Sequence, residues 1–307
     1  MARPNKIVII LAKISISGGL LYAVISKTGI DKVLSTLKDI NVLSFVIAVL
    51  IYMLSIYISS IRWRLLLHER FELNRLVSLY FIGSLFNHLL PGLIGGDAVK
   101  AYYLYRDTGR GSSAVASVFM DRYIGFTALM LVGLIAFPFG FGYFKGSVIA
   151  WLLPLIVLIF IAGSFLFFGL KIGSRFKPLA GFYDYFTAYR EKKAILIETL
   201  LLSVLIQAII ILAVYVLGRR LGVNVPLVPL FVFIPVFWTI ATIPVSISGL
   251  GVREASFVLL FGFLGINPVH ATAVSFAWFL SVAAGSLPGL VEYLRYKKKQ
   301  PDENAPP

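Results

Sequence analysis

Three basic residues stand within a turn of an acid in stretches that are otherwise apolar: Lys100 three residues after Asp97, Arg122 directly after Asp121, and Arg253 directly before Glu254. Such sets suit phosphate chemistry. Lysine and arginine bring charge and donors to phosphate oxygens, and a neighbouring carboxylate pairs with the cation when no ligand is bound. Two of the sets follow a glycine-rich break, Gly95 and Gly96 before Asp97, and Gly249 and Gly251 before Arg253. A helix restarting after such a turn presents backbone N–H groups and the positive end of its dipole, which favour an anion. Lys100, Arg122 and Arg253, with Gly95, Gly96, Gly249 and Gly251, are therefore candidates to hold an anionic headgroup. Asp97, Asp121 and Glu254 are candidates to orient those cations or to take up a proton. A scaffold role also fits the acids, Asp97 as an N-cap and Glu254 in a first turn. His88 is a candidate proton relay, and Asn87 a partner for the broken backbone beside it.

The setting makes these charges expensive. Of 307 residues, 59% are hydrophobic and only 14% charged, the composition of a polytopic membrane protein. An ionisable group at membrane depth is costly and marks function by default. The net charge of +14 does not point to nucleic acid, because the basic residues cluster between apolar spans rather than among aromatics on one water-facing surface. With no cysteine there is no disulfide, thiolate metal site or cysteine nucleophile. His68, His88 and His270 lack the i, i+4 partner of a zincin-type site, so no metal is expected. There is no phosphate-cradling P-loop, and "SISGLG" lacks nucleophile-elbow spacing. The residues thus predict a transporter without cofactor rather than an enzyme.

Positioning these residues requires spans, and apolar runs predict six, near 7–26, 43–61, 113–137, 148–170, 194–217 and 268–291. The first lacks a small-residue cleavage site and reads as a retained helix rather than a signal peptide. Segments 76–90 and 227–243 instead run into "PGLIGG" and "PVSISGLG". Backbone that leaves helix at membrane depth is tolerated only where protein or a water-filled cavity covers it, so both segments are expected to be re-entrant hairpins. On that reading 19 basic residues fall on one side and 6 on the other, which places both termini in the cytoplasm and the chain in the cell membrane.

Aligning Pro91 with Pro244, an offset of 153, lays Gly96 over Gly249, Val99 over Val252 and Lys100 over Arg253. The same offset maps the second span into the fifth and the third onto the sixth. Each half then holds three crossings, an odd number, so the halves are inverted. The expected fold is an all-α polytopic membrane protein of six full spans and two re-entrant helical hairpins in an inverted repeat. It forms one domain over 1–296, with pseudo-repeats near 7–145 and 146–296 and a polar tail over 297–307. The hairpin tips are expected to meet near the midplane, where transporters of this design bind substrate.

"NHLLPGLIGGDAVKAYYL", "SVFMDRYIGF" and "PVSISGLGVREASF", followed by "PGLVEY", resemble the lysylphosphatidylglycerol synthase transmembrane region, a flippase-like membrane domain of the multiple peptide resistance factor type. The resemblance runs over 7–296. Its conserved pattern falls on Asn87, Pro91, Gly95, Gly96 and Asp97, on Asp121 and Arg122, and on Gly249, Gly251, Arg253 and Glu254. Lys100 stands where many relatives have arginine, which keeps the charge but loses the planar fork. The resemblance implies a lipid translocator, flippase or scramblase, for a phospholipid or lipid-linked phosphate. Implied partners are anionic or aminoacylated phospholipid, polyprenyl phosphate, and a separate synthase or glycosyltransferase. No aminoacyl-transfer domain follows Tyr296 in this sequence, so lysyl transfer by this chain is not expected. The alternatives are a membrane-embedded transferase or its lipid-presenting subunit, and an ion- or solute-coupled transporter.

Overall fold

The structure of the chain, a computed structural model, describes residues 6–69, 71–90, 95–170, 183, 185–189, 191–242, 246 and 249–298. Among them every regular element is helical. In chain order these are α1 (Lys6–Thr28), α2 (Ile30–Lys38), α3 (Val42–Leu65), α4 (Leu73–Leu89), α5 (Gly95–Thr108) and α6 (Gly111–Phe144). Then come α7 (Ile149–Ser164, prolonged by a π turn over Phe165–Gly169), α8 (Lys193–Arg220), α9 (Leu227–Thr242), α10 (Val252–Gly262), α11 (Pro268–Ser286) and α12 (Pro288–Lys298). Pro91 and Pro244, on which the two expected breaks centre, lie outside the described residues, as do 1–5 and the tail beyond 298.

Among the described residues, five helices are long and apolar enough to cross a membrane: α3, α6, α7 with its π turn, α8, and α11 continued through α12 to Tyr296. The first expected span falls on α1, a helix of 23 residues about 35 Å long at 1.5 Å per residue that is not among these five. On α7 the outward residues Leu155, Leu158 and Ile159 are all exposed, an apolar exterior that lipid solvates and water does not. Local chemistry fixes where the spans begin. Asn41 caps α3 by accepting from the Leu43 N–H at 2.8 Å. Asn267 does the same for Val269 at 2.8 Å, with Pro268 pre-set at the first helical position of α11.

The two short helix pairs are the feature that shapes the site. α4 and α5 run antiparallel, because Asn87 meets Gly96, Gly83 meets Gly96 and Lys100, and Arg75 meets Asp107. With 17 and 14 residues they are about 25 and 21 Å long, shorter than a hydrocarbon core of about 30 Å. α9 and α10 face one another through Phe237 and Phe257, ring centroids 5.0 Å apart. They hold 16 and 11 residues, about 24 and 16 Å. A long helix, a short pair and a second long helix thus occur twice, as α3, α4–α5, α6 and as α8, α9–α10, α11.

Between helices in lipid, close packing replaces hydrophobic transfer as the source of cohesion, and small residues permit it. A Cβ on Gly96 would lie 1.8 Å from the Gly83 carbonyl oxygen, and one on Gly289 would lie 2.2 Å from that of Phe81. These contacts press α5 and α12 onto α4. The main core fills the space between α6, α7, α8, α9 and α11 with Leu153, Ile211, Leu217, Phe233 and Val274. A second core of Trp63, Leu76, Leu79, Ile82 and Leu104 lies under the first hairpin.

Candidate functional site

Three helices, α3, α5 and α6, deliver charge to one point beneath the first hairpin. Lys100, on α5, places its Nζ 3.2 Å from Asp97 Oδ1 and 3.8 Å from Asp121 Oδ2. Arg122, on α6, pairs through Nε with Asp97 Oδ2 at 2.5 Å. Arg62, in the last turn of α3, donates through Nε to Asp121 Oδ1 at 2.8 Å and through Nη1 to Ser203 Oγ of α8 at 2.9 Å. Tyr80 of α4 donates its hydroxyl proton to Asp121 Oδ2, while its ring lies 4.0 Å below the Lys100 ammonium. Asp97, Asp121, Lys100 and Arg62 are buried. The five ionised side chains carry three positive and two negative charges. Each carboxylate serves two cations, which offsets the cost of removing these groups from water.

Arg122 differs from the other cations in exposure: 41% of its side chain is accessible against 6% for Lys100. It faces a cavity of about 860 Å³ bounded by α5 and α6. Asp97, Arg122 and Thr242 bring polar atoms to its head, and Ala101, Val115 and Phe119 wall its length. Tyr105, Val115 and Phe119 are exposed along it, so the cavity is a groove open to the outside of the protein. Its size falls in the range of about 300–1,000 Å³ typical of ligand sites.

Arg253 and Glu254 form a second cluster. Arg253 donates to Glu254 through Nη2 and, at 2.8 Å, through Nε. Its Nε also lies 3.2 Å from Ser275 Oγ, and its guanidinium lies 4.2 Å from the ring centre of Phe279. His88, near the end of α4, packs edge-on against the same Phe279 with centroids 5.6 Å apart. Phe279 therefore touches the inner ends of both hairpins, and Thr242, the last residue of α9, borders the groove headed by Asp97 and Arg122. The Lys100–Arg122 pair and Arg253 nonetheless occupy separate ion clusters rather than one shared cradle.

The amide donors expected at the glycine turns are partly engaged within the protein. Gly96 N–H donates to Asn87 Oδ1 at 2.9 Å, the role foreseen for Asn87. Gly251 N–H donates to Glu254 Oε2 at 2.8 Å, so this acid caps its own helix. Gly251 has φ +79, and a Cβ there would sit 2.7 Å from the Ser17 carbonyl oxygen of α1. Gly249, at φ +76, offers its carbonyl to Arg253 N–H at 2.8 Å. Gly95 opens α5, and a Cβ there would meet Leu90 at 2.6 Å.

Arg62, Tyr80 and Ser203 escape a reading of the sequence. Arg62 counts there as a cytoplasmic loop charge because the apolar run ends at Ile61, yet α3 continues to Leu65 and turns Arg62 inward. A signal is present: Ser55, Ser59 and Arg62 recur at i, i+4 and i+7, one polar stripe along a helix, and all three are buried.

A helical bundle with apolar exposed faces and buried ion networks defines a multi-pass membrane protein. The chain belongs to the family described as the lysylphosphatidylglycerol synthase TM region, which matches residues 10–289. It is similar to a UPF0104 membrane protein of Methanothermobacter thermautotrophicus, 26% identical over 282 positions that cover 78% of this chain and 80% of that protein. It is also similar to the UPF0104 membrane protein PH1989 of Pyrococcus horikoshii, 26% identical over 115 positions, 36% of this chain and 34% of that one.

Proposed function

We propose that the protein is a lipid translocator that passes an anionic headgroup between the leaflets of the cell membrane by way of Lys100 and Arg122. One observation carries this reading: both cations share the single carboxylate of Asp97 at the head of an apolar groove. A headgroup phosphate reaching that point takes over the place of Asp97 on Arg122, and the walls of the groove spare it contact with bare hydrocarbon. Lipid is also what the family's description, lysylphosphatidylglycerol synthase TM region, suggests as cargo.

On this reading the short pairs α4–α5 and α9–α10 are re-entrant, the first from the cytoplasmic side and the second from outside. Their lengths, each below the thickness of the hydrocarbon core, support it. The two halves are inverted repeats that rock about the ends meeting at Phe279, and both termini face the cytoplasm. Arg253 and Glu254 hold the second hairpin in shape rather than contacting the headgroup. The lipid is supplied by a separate synthase or glycosyltransferase.

The test is transbilayer exchange of labelled phosphatidylglycerol, lysylphosphatidylglycerol and polyprenyl phosphate in vesicles containing the purified protein. Exchange of at least one is expected to exceed that of empty vesicles. Arg122→Gln is expected to slow it about tenfold or more, the equivalent of one charge-assisted hydrogen bond of about 1.5 kcal/mol. Exchange no faster than in empty vesicles for all three lipids would reject the proposal.

A further inference from the structure

We infer that the α5–α6 groove seats one hydrocarbon chain of a singly charged anionic amphiphile, whose charge replaces Asp97 on Arg122. This deepens the translocation proposal and rests on it for the ligand being a lipid in transit. It differs from a mode in which only the headgroup meets protein while every chain stays in the bilayer.

Charge argues for a monoanion. The five side chains joined at the head of the groove, Arg62, Asp97, Lys100, Asp121 and Arg122, sum to +1. One negative charge brings that low-dielectric site to neutrality, whereas a phosphate monoester, at about −1.5 to −2 near pH 7, overshoots it. A phosphodiester meets the requirement. Arg122 is the cation within reach, being half-exposed to the groove while Lys100 is buried behind it.

Shape argues for a chain. Gly111 and Phe126, both on α6, mark the two ends of the lining, about 22 Å apart along the helix at 1.5 Å per residue. From Arg122 to Gly111 the distance is about 16 Å, the length of groove available to a chain whose headgroup sits at Arg122. Ala98 and Ala101 keep the α5 wall low, and Val115 and Phe119 face it from α6. Tyr105 packs 3.5 Å from where a Gly111 Cβ would stand and closes the far end. A headgroup at Arg122 with its chain laid back toward Gly111 occupies the stretch of groove between these two residues.

The experiment places the full chain in neutral phosphatidylcholine vesicles and adds lysophosphatidylglycerol carrying a diazirine at its chain terminus. Cross-links are mapped by mass spectrometry. Adducts on Tyr105, Val115 and Phe119 are expected about fivefold or more above those on Leu155 and Leu158 of the lipid-facing side of α7, and Arg122→Gln is expected to abolish the excess. Val115→Trp fills the groove from a position that is 47% exposed and so spares the fold, and it should also remove the excess. Ala98→Phe serves as a second plug. The matching alkylglycerol without phosphate should show no enrichment, and the alkyl phosphate monoester less than the diester. Glycerophosphoglycerol, the same phosphodiester without a chain, should compete only at much higher concentration.

Even labelling of the groove and α7 would overturn the inference. So would enrichment that persists with the uncharged probe, or competition by glycerophosphoglycerol at the probe's own concentration. Lipid exchange measured on the same vesicles separates the two proposals. Enrichment without exchange removes translocation and leaves the seat, whereas exchange without enrichment removes the seat and leaves translocation.

Discussion

Asp121 accepts from Arg62 and Tyr80 and lies 3.8 Å from Lys100, with 1% of its surface exposed. Asp121→Asn keeps the shape but takes from Arg62 the carboxylate it pairs with and leaves Lys100 to share Asp97 with Arg122. The expected cost is about 3–5 kcal/mol, the penalty for breaking a buried pair, read as a fall in the melting temperature of the purified protein. Removing both partners as Arg62→Met with Asp121→Leu takes away one charge of each sign. That double variant is expected to recover most of the loss, since apolar replacement of a buried pair is often neutral. A single substitution costing under about 1 kcal/mol would mean that water reaches the network. Lys100, Arg122 and Asp97 were legible because an ionisable residue stands out in an apolar run. Arg62 was hidden because its charge falls where the run ends, and only helical continuation tells an inward arginine from a loop one. Nor can a glycine turn announce that Asn87, nine residues earlier, will occupy the Gly96 amide.

At the scale of elements, the first hairpin depends on the approach of α4 to α5. Gly96→Ala would place a Cβ 1.8 Å from a backbone oxygen that cannot swing aside, so the helices must part and the Lys100–Asp121 contact with them. A loss of about 2 kcal/mol or more in thermal stability is expected. Gly18→Ala in α1 meets nothing within 4 Å and is expected to be neutral or to stabilise by up to about 1 kcal/mol. The hairpin itself was legible from its glycine-rich break, but Gly83 was not, because a lone glycine within a helix announces only a weaker helix. Outside the spans, His68 packs its ring against Tyr185 and Tyr189, and burial, followed by the charge of Lys192, holds the imidazole below its ordinary value near 6.5. The folded state therefore prefers the neutral ring. Its contribution is complete above about 6.5 and is lost as pH falls through the lower folded value. Hydrogen-exchange protection over 185–189, taken relative to the intrinsic rate at each pH, is expected to fall between pH 7 and 5, and His68→Phe should flatten that dependence.

At the scale of the molecule, the offset of 153 residues, which depends only on where apolar runs break, lays α3 over α8 and α6 over α11. It could not foresee that the two halves pack differently around their hairpins. Beside the second hairpin, α1 presses its Ser17–Leu21 backbone onto Gly251, whereas the α5–α6 side of the first hairpin is open as the groove. Translocation by inverted halves still demands that the two hairpins open to opposite faces, and the absence of cysteine lets this be tested without background. Glu72→Cys and Arg106→Cys, at the open ends of α4 and α5, are expected to react with an impermeant maleimide from the same face. Asn224→Cys and Phe263→Cys flank the second pair and should react only from the other. On the proposed topology the first two face the cytoplasm. Should all four react from one face, the halves cannot be inverted, and no rocking motion would carry a headgroup from Arg122 to the far leaflet.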